Sequence, residues 1–440
     1  MPQFYKNFVD ILNLMQRLDK YNVNFSQGKI NGKTDYFLFQ RPGQPIHIKA
    51  CFLSGSRFET KSGLAHFLEH MLLAGSEKYP NKRLLTTPLE NIGGSIGAST
   101  NLNFLTIFIE IAERKDLNFA LQILDEVINR PLLDLQTIET ERGAILTEIQ
   151  MRRHNRAIRV MDISNTLIYQ KTPCGTTVIG DENSVNSINR SDLNNFYETV
   201  FKKNPLIWSL SGDLDEKETV EILSNLHDST ATPKEKFTEN LPKIREKDTL
   251  LEIFDDEKTD LYFSFRTGSS DEVDTASLDI ISTYLTFGRG AKLQEELRYR
   301  RGLIYSCRGE NFLSFDAGDW SIQTACSAEK TQEVLDVITN ELEIIKKEGI
   351  PPEELRQTKN KLIKNNAIKM QTAKSWADLA SRPPFIMSPD KFLITNYEEA
   401  IEKVTPEEII ATAQRYFTAD NWYLAMCGPK SLEKVEIKLK

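Results

Sequence analysis

Near the start of the chain, apolar and polar residues alternate in three short stretches, which predict three β-strands. The stretches are residues 35–40, 46–55 and 104–112. The second is the clearest, because every other position is apolar: Ile46, Ile48, Ala50 and Phe52. Apolar residues at helical spacing, as at 117–132, separate or follow these strands. The order of elements indicates a mixed α and β fold.

A polar stretch at 227–248 divides the chain nearly in half. It lacks apolar periodicity and carries Pro233, Pro242 and many charges, which is typical of a linker. After it the pattern restarts with a strand, a helix, another strand and a long helix pair that is broken at GIPPEE; these are predicted at 261–268, 274–287, 320–327 and 331–370.

We therefore predict an α+β protein with two similar domains, which could derive from a divergent duplication. The first domain is predicted at 1–230, the linker at 231–248 and the second domain at 249–440. Each domain is expected to contain a mainly antiparallel sheet flanked by helices.

Composition excludes several classes of protein. Of the 440 residues, 40% are hydrophobic and 27% are charged, which excludes a disordered or fibrous chain. Lys and Arg number 55 against 63 Asp and Glu, and the net charge of −8 argues against a general binder of nucleic acid or anionic membranes. The five cysteines form no CxxC pair, which fits a reducing compartment without a disulfide framework.

The sequence also predicts a cytoplasmic protein. No apolar run approaches the ~18 residues that a membrane span needs. Asp10, Asn13 and Gln16 interrupt any apolar core near the start, so this segment does not read as a secretory signal.

Residues 63–75, GLAHFLEHMLLAG, are the most informative stretch of the chain. Ser62 is a candidate N-cap and Gly75 a candidate C-cap of a helix. His66, Glu69 and His70 lie on the side of this helix that is opposite a stripe of apolar residues: Leu64, Phe67, Leu68, Met71 and Leu72. Two of the chain's five histidines are therefore one turn apart on a face that usually carries Lys, Glu and Gln.

This HxxEH arrangement predicts a catalytic zinc site. Imidazoles at positions i and i+4 can both reach one metal ion, and the Glu between them is placed to take a proton from a metal-activated water. A chance pair of histidines on an exposed helix face is the alternative interpretation. The same ligands would also accept cobalt or manganese.

Catalytic zinc uses three protein ligands, so one more ligand is expected elsewhere in the chain. Residues 137–153 read as a helix with an apolar stripe that includes Ile138, Ile145 and Ile149. Glu141 and Glu148 are seven residues apart and share a face at the margin of that stripe. Such a pair can supply one metal ligand and one supporting carboxylate, although it is more often surface charge.

GSRFETKSGLAHFLEHM followed by ETERGAILTEI resembles the pitrilysin family of inverzincin zinc metallopeptidases. That family includes insulin-degrading enzyme, mitochondrial processing peptidase and two-domain bacterial peptidases of this length. The resemblance implies a LuxS/metallopeptidase-like fold that forms half of a clam-shaped chamber. It also implies one Zn²⁺ per chain on His66, His70 and Glu148, with Glu69 as the general base and Glu141 as a catalytic supporting carboxylate.

Residues 90–108 resemble the family segment whose edge strand pairs with a bound peptide. A peptide that adds to an open sheet edge gains main-chain hydrogen bonds, which gives affinity with a loose sequence preference. The resemblance implies that Gly97, Ala98, Ser99 and Thr100 bind substrate. Gly97 stands where the family usually has Asn, and this removes a polar contact to the substrate backbone. A purely structural glycine-rich turn is the alternative interpretation.

TFGRGAKLQEELRYRRGLIYS (286–306) resembles the family's LRxxxGLxY element in the second half of the chain. The resemblance implies that Arg298 and Tyr305 bind the substrate and polarise its scissile carbonyl. A guanidinium and a phenol can both donate to the oxyanion that forms when water attacks. Arg300 and Arg301 are expected on the helix surface.

The predicted function is a zinc-dependent metalloendopeptidase that cleaves peptides or unfolded polypeptide segments. Both the zinc motif and the Arg/Tyr pair lie on one chain, and from the resemblance this predicts a homodimer. The alternatives are a catalytic subunit that is active only in a heterodimer with an inactive homologue, and a non-catalytic scaffold subunit of the same fold. A scaffold is expected to lack one or more of the residues of the zinc motif, all of which are present.

Overall fold

A computed structural model describes residues 14–170, 172–226, 248–269 and 274–440 of the chain. Two compact units are present, and their bounds are Met1–Gln150, Thr177–Lys236 and Ala367–Pro389 for the first, and Met151–Thr176, Phe237–Asn366 and Asp390–Lys440 for the second. Each unit therefore contains a segment from the other half of the sequence. This division differs from the predicted boundaries at 230 and 249, and the predicted linker lies outside the described residues except for Asp248.

The first unit contains a seven-stranded sheet in the order β1-β2-β3-β7-β4-β6-β5. All neighbouring strands are antiparallel except β3 and β7. The strands are β1 (Leu14–Leu18), β2 (Val23–Ile30), β3 (Thr34–Gln40), β4 (Ile46–Phe52), β5 (Ser95–Thr100), β6 (Leu105–Ile111) and β7 (Leu206–Gly212).

The second unit contains a five-stranded sheet in the order β10-β11-β9-β12-β8, in which only β8 and β12 are parallel. The strands are β8 (Asp248–Ile253), β9 (Lys258–Thr267), β10 (Ile304–Leu313), β11 (Gly318–Ser327) and β12 (Trp422–Gly428). In chain order, β8 to β12 follow the same path through their sheet as β3 to β7 follow through theirs. This shared topology confirms the predicted α+β class with two similar domains.

Helices connect and flank the strands. They are α1 (Leu64–Ala74), α2 (Lys82–Glu90), α3 (Leu117–Asn129), α4 (Leu135–His154), α5 (Arg156–Tyr169), α6 (Glu182–Ser187), α7 (Arg190–Phe196), α8 (Glu216–Asn225), α9 (Thr275–Thr286), α10 (Thr331–Glu348), α11 (Pro352–Lys369), α12 (Ala373–Leu379), α13 (Pro383–Met387), α14 (Pro389–Phe392), α15 (Ile394–Lys403) and α16 (Pro406–Tyr416). Two short π-helical segments span Tyr197–Phe201 and Gln294–Arg300. Among the described helices, none is both long enough and apolar enough to cross a membrane.

The core of the first unit forms where the apolar face of the sheet meets α1 and α3. The alternating residues Ile46, Ile48, Ala50 and Phe52 of β4 are buried in one cluster with the apolar stripe of α1. Successive side chains of a strand point to opposite faces, so Lys49 lies on the other face of the same sheet. This arrangement confirms the strand and the amphipathic helix that the sequence predicts here.

A segment from the C-terminal half, Ala367–Pro389, packs on that other face of the first sheet. Trp376 and Phe385 are buried, and their rings contact three aromatic residues of β2 and β3: Phe25, Phe37 and Phe39. The Lys49 ammonium lies 2.7 Å from the Asp378 carboxylate. This packing was not predicted from the sequence, because it joins residues that are more than 300 positions apart.

Candidate metal centre

Helix α1 is buried on its apolar side, and its polar side is also largely shielded from solvent. The five apolar residues of the stripe are at most 1% exposed. On the other side, the side chains of His66, Glu69 and His70 are 9%, 13% and 22% exposed. A solvated helix face would be far more accessible, so the alternative of an accidental histidine pair on an exposed face does not fit.

The start of α1 is held by Glu59 rather than by Ser62. The Glu59 carboxylate accepts hydrogen bonds from the backbone N–H groups of Gly63 (2.9 Å) and Ala65 (3.0 Å). Burial raises the pKa of Glu59 to about 7. The predicted Ser62 cap is wrong because Gly63, at φ +86°, is the residue that enters the helix and no side chain caps from that position. The helix ends at Ala74, and Gly75 follows it as predicted.

His66, His70 and Glu148 come together at one point. Each of them offers a ligand atom that lies within 4.8 Å of the other two. Oε2 of Glu148 is 3.2 Å from Nε2 of His66 and 3.8 Å from Nε2 of His70. Ligand atoms at about 2.1 Å from a tetrahedral zinc lie roughly 3.4 Å apart. The two imidazoles and the carboxylate therefore fit a zinc ion, and no other such group of His, Cys, Asp or Glu occurs among the described residues.

Helix α4 places two of its glutamates, Glu141 and Glu148, at this point. Ile138, Ile145 and Ile149 are buried as predicted and fix the orientation of the helix. Oε2 of Glu141 is 2.9 Å from Nδ1 of His70, the ring nitrogen that does not face Glu148. A ligating histidine commonly donates its second N–H to a carboxylate, which fixes its tautomer and its ring orientation.

Glu69 lies beside the cluster and is held by a neighbouring strand. The Thr100 hydroxyl, at the end of β5, donates a 2.6 Å hydrogen bond to Oε2 of Glu69. The same oxygen lies 3.4 Å from Nδ1 of His66, which is a long contact. From the sequence, Thr100 is predicted to bind substrate, and its hydrogen bond to Glu69 is not predicted because it depends on how β5 packs against α1.

The charges of the site stabilise one another. Hydrogen bonds from His66 and His70 hold the pKa of Glu148 well below its usual range. Burial alone would lower the pKa of His70, but hydrogen bonds to Glu141 and Glu148 outweigh it and raise this pKa to about 9. The pKa of His66 is also raised, because contacts with Glu148 and Glu69 outweigh its burial. This concentration of carboxylates favours a cation at the point where the two rings meet.

The predicted substrate strand is the edge strand β5. It pairs with β6 and stands at the end of the sheet, so no described strand pairs with its other edge. Gly97 lies opposite Phe108 in this pairing, and a Cβ atom at Gly97 would be 2.5 Å from Cζ of the Phe108 ring. The ring occupies the space that a side chain at Gly97 would need, so a larger residue does not fit there unless the ring moves.

Arg298 and Tyr305 form a pair in the second unit. Arg298 lies in the π-helical segment Gln294–Arg300, and Tyr305 lies in the edge strand β10. The Arg298 guanidinium is 4.7 Å from the centre of the Tyr305 ring, and Tyr305 is 80% exposed. Arg300 pairs with Glu295 and Glu296, and Arg301 pairs with Glu333, as expected for surface residues.

Two family models match the chain. Residues 42–182 match "Insulinase (Peptidase family M16)", and residues 187–362 match "Peptidase M16 inactive domain". The first match contains the whole cluster of His66, Glu69, His70, Glu141 and Glu148. The second contains Arg298 and Tyr305.

Similar proteins cover most of the chain. The beta subunit of mitochondrial-processing peptidase from Mus musculus is 26% identical over 86% of this chain and 78% of its own length. An uncharacterized zinc protease of Mycobacterium leprae is 25% identical over 86% of both chains. A crystal structure of a protease from Helicobacter pylori has a TM-score of 0.83 at 19% identity and covers 95% of this chain and 100% of its own. A peptidase M16 inactive domain from Pseudomonas fluorescens has a TM-score of 0.84 at 17% identity, over 94% and 99%.

Proposed function

Because the chain belongs to peptidase family M16, we propose that it is a zinc-dependent endopeptidase that cleaves peptides or unfolded polypeptide segments. The observation that carries this proposal is the convergence of His66, His70 and Glu148, with Glu69 beside them. A structural zinc site would need a fourth protein ligand, whereas three ligands leave the position that a catalytic site requires.

In this proposal, His66, His70 and Glu148 hold the zinc ion, and Glu141 fixes the ring of His70 from behind. Zinc held by these residues would supply Lewis acidity, which activates water for attack near neutral pH. The Glu69 carboxylate takes the proton of the attacking water and gives it to the leaving amine. The low exposure of Glu69 limits the water that competes for this proton.

The substrate is proposed to bind as an extended strand along the open edge of β5, over Gly97–Thr100. Main-chain hydrogen bonds would fix the position of the peptide without demanding a particular sequence. Arg298 and Tyr305 are proposed to bind the substrate and to donate to the oxyanion of the scissile carbonyl. The exposure of the Tyr305 phenol supports this role, because a structural tyrosine is more often covered.

We propose that the active form is a homodimer, since the zinc ligands and the Arg/Tyr pair lie on one chain. The alternative is a heterodimer with an inactive homologue, which the relatives named as the beta subunit of mitochondrial-processing peptidase favour. Light scattering and hydrolysis measured on the same purified sample separate the two. An active homodimer supports our proposal, and activity that appears only with a second polypeptide supports the heterodimer.

The central test is hydrolysis of a mixed set of quenched peptides of 10–30 residues. We expect endoproteolysis that a zinc chelator abolishes and that stoichiometric zinc restores. Glu69→Gln should retain zinc and lose about 10²- to 10⁴-fold in rate. His66→Gln should lose zinc, whereas His154→Gln, which changes an exposed histidine on α4, should retain both zinc and activity.

A different result would identify one of the alternatives. If the protein binds zinc but cleaves no peptide, either alone or mixed with homologous subunits, the proposed endopeptidase function is contradicted. Absence of zinc from the purified wild type would favour a non-catalytic scaffold, a function that the name "inactive domain" of the second family match also suggests.

A further inference from the structure

We propose that Thr100 is a positioning residue that holds the Glu69 carboxylate in the orientation needed for proton transfer. This inference rests on the proposed peptidase function and adds to it a residue that acts through Glu69. Thr100 lies in β5, the strand that is proposed to pair with the substrate, and it contacts Glu69, the proposed general base. It therefore connects substrate binding with proton transfer.

The geometry of the hydrogen bond supports this role. The Thr100 hydroxyl donates to Oε2 of Glu69 at 2.6 Å, the length expected when the acceptor is an ionised carboxylate. Within the described part of the chain, the Oε1 atom of Glu69 has no hydrogen-bond partner. One oxygen is therefore held by protein, and the other is available to take a proton.

Thr100 itself is fixed by a backbone connection to the start of α1. Backbone N–H groups of Gly55, Ser56 and Arg57 donate to the carbonyls of residues 101–103, which directly follow Thr100, each at 3.0 Å. Glu59, two residues farther along, accepts the N–H groups that begin α1. The same short segment thus ties the end of β5 and the start of the histidine helix together, and the Thr100–Glu69 distance does not depend on a mobile loop.

The position of Thr100 on the sheet connects the hydrogen bond to Glu69 with the proposed substrate-binding edge. The Thr100 side chain shares a face of β5 with Ile96 and Ala98, which pack in the core against which α1 lies. Its backbone belongs to the open edge strand. A peptide strand that adds to this edge is therefore aligned by the same residue whose hydroxyl aligns the base.

The experiment compares three variants in the zinc-loaded full-length protein. Thr100→Val keeps the shape of the side chain and removes the hydroxyl, whereas Thr100→Ser keeps the hydroxyl. Thr106→Val is the matched control, because Thr106 lies on the neighbouring strand β6 and faces the other side of the sheet. Measurements are kcat and KM for a quenched peptide, zinc affinity by chelator competition, and crystal structures of the wild type and Thr100→Val.

We expect Thr100→Val to lower kcat about 10- to 100-fold, which is the size of a lost hydrogen bond to a charged group. KM and zinc affinity should change little, Thr100→Ser should recover most of the rate, and Thr106→Val should match the wild type. In the crystal, Oε2 of Glu69 should leave its wild-type position in Thr100→Val.

Two results would overturn the inference. The first is an unchanged kcat in Thr100→Val with zinc bound. The second is a Glu69 carboxylate that keeps its orientation in the Thr100→Val crystal structure. If the zinc-loaded wild type cleaves no peptide, the proposed function fails, and the crystal comparison still decides whether Thr100 positions Glu69.

Discussion

Oε2 of Glu141 lies 2.9 Å from Nδ1 of His70, while Nε2 of the same ring faces Oε2 of Glu148 at 3.8 Å. The imidazole is therefore held between two carboxylates that lie on one helix, two turns apart. Because Glu141 accepts the hydrogen bond of the Nδ1–H group, Nε2 is the ring nitrogen that remains to bind a metal ion.

Replacing Glu141 should weaken metal binding without changing the ligand set. We expect Glu141→Gln to lower zinc affinity by about 10- to 100-fold, since outer carboxylates contribute on that scale. The measurement is competition with a chromogenic chelator. Glu139→Gln is the control, because Glu139 lies on the same helix and pairs with Arg142. Equal affinities in the two variants would show that Glu141 does not support His70.

Removal of the Tyr305 hydroxyl should reduce the rate of hydrolysis and leave the metal in place. We expect Tyr305→Phe to lower kcat/KM by about 10²-fold, the lower end of the loss when one oxyanion donor is removed. The matched control is Tyr299→Phe, because the Tyr299 ring also lies beside Arg298, at 5.4 Å. If Tyr305→Phe and Tyr299→Phe have the same kcat/KM, the Tyr305 hydroxyl does not take part in catalysis.

Restoring the family's Asn at Gly97 should destabilise the protein. The new side chain would collide with the Phe108 ring, and we expect Gly97→Asn to lower the free energy of unfolding by about 1–3 kcal/mol. Gly93→Asn should cost much less, because a Cβ atom there meets nothing within 4 Å and Asn tolerates positive φ.

A double-mutant cycle in urea tests the cause of the Gly97 effect. The Gly97→Asn change should cost less when Phe108→Ala is already present. An equal cost in both backgrounds would mean that Phe108 is not the reason for glycine at this position.

His47 should make the stability of the protein depend on pH. It is buried in β4, and burial lowers its pKa to about 4. The unfolded chain binds a proton at His47 near pH 6.5 and the folded chain does not, so stability is complete above pH 6.5 and falls as the pH decreases toward 4. The expected loss is roughly 3 kcal/mol, at 1.36 kcal/mol per unit of pKa shift.

The contribution of His47 is measured by urea unfolding of the wild type and of His47→Phe between pH 7 and pH 4.5. His47→Phe should lose less stability over this range, because the variant has no proton to bind at this position. Parallel pH profiles for the two proteins would show that His47 does not titrate as described.

The parts of the site that a sequence can encode locally could be predicted from it. The stripe of α1 and the alternation in β4 follow from the periods of helix and strand, and they place His66, Glu69 and His70 on the correct face. The positions of Glu141 and Glu148 follow from their seven-residue spacing and from the buried isoleucines of α4. The family resemblance supplied the connection between the two helices, which no local pattern contains.

The remaining features depend on contacts between segments that are distant in sequence or on burial that residue type does not indicate. Glu59 was missed as the cap of α1, because a glutamate normally lies at the surface and here it is partly buried. The Thr100–Glu69 hydrogen bond requires the packing of β5 against α1. Ala367–Pro389 belongs to the first unit because Trp376 and Phe385 pack against aromatic residues of β2 and β3. The local sequence pattern of this segment indicates only short helices and does not reveal these distant contacts.

The packing of Trp376 and Phe385 also determines when the zinc-binding unit can be completed during synthesis. Phe25, Phe37 and Phe39 leave the ribosome early, at ~5–20 residues per second, but the rings that cover them are encoded more than 330 residues later. A nascent chain therefore carries an uncovered aromatic face until the segment Ala367–Pro389 has been translated. The histidine helix ends at Ala74, yet the sheet on which it packs is fully covered only after Phe385 has been translated.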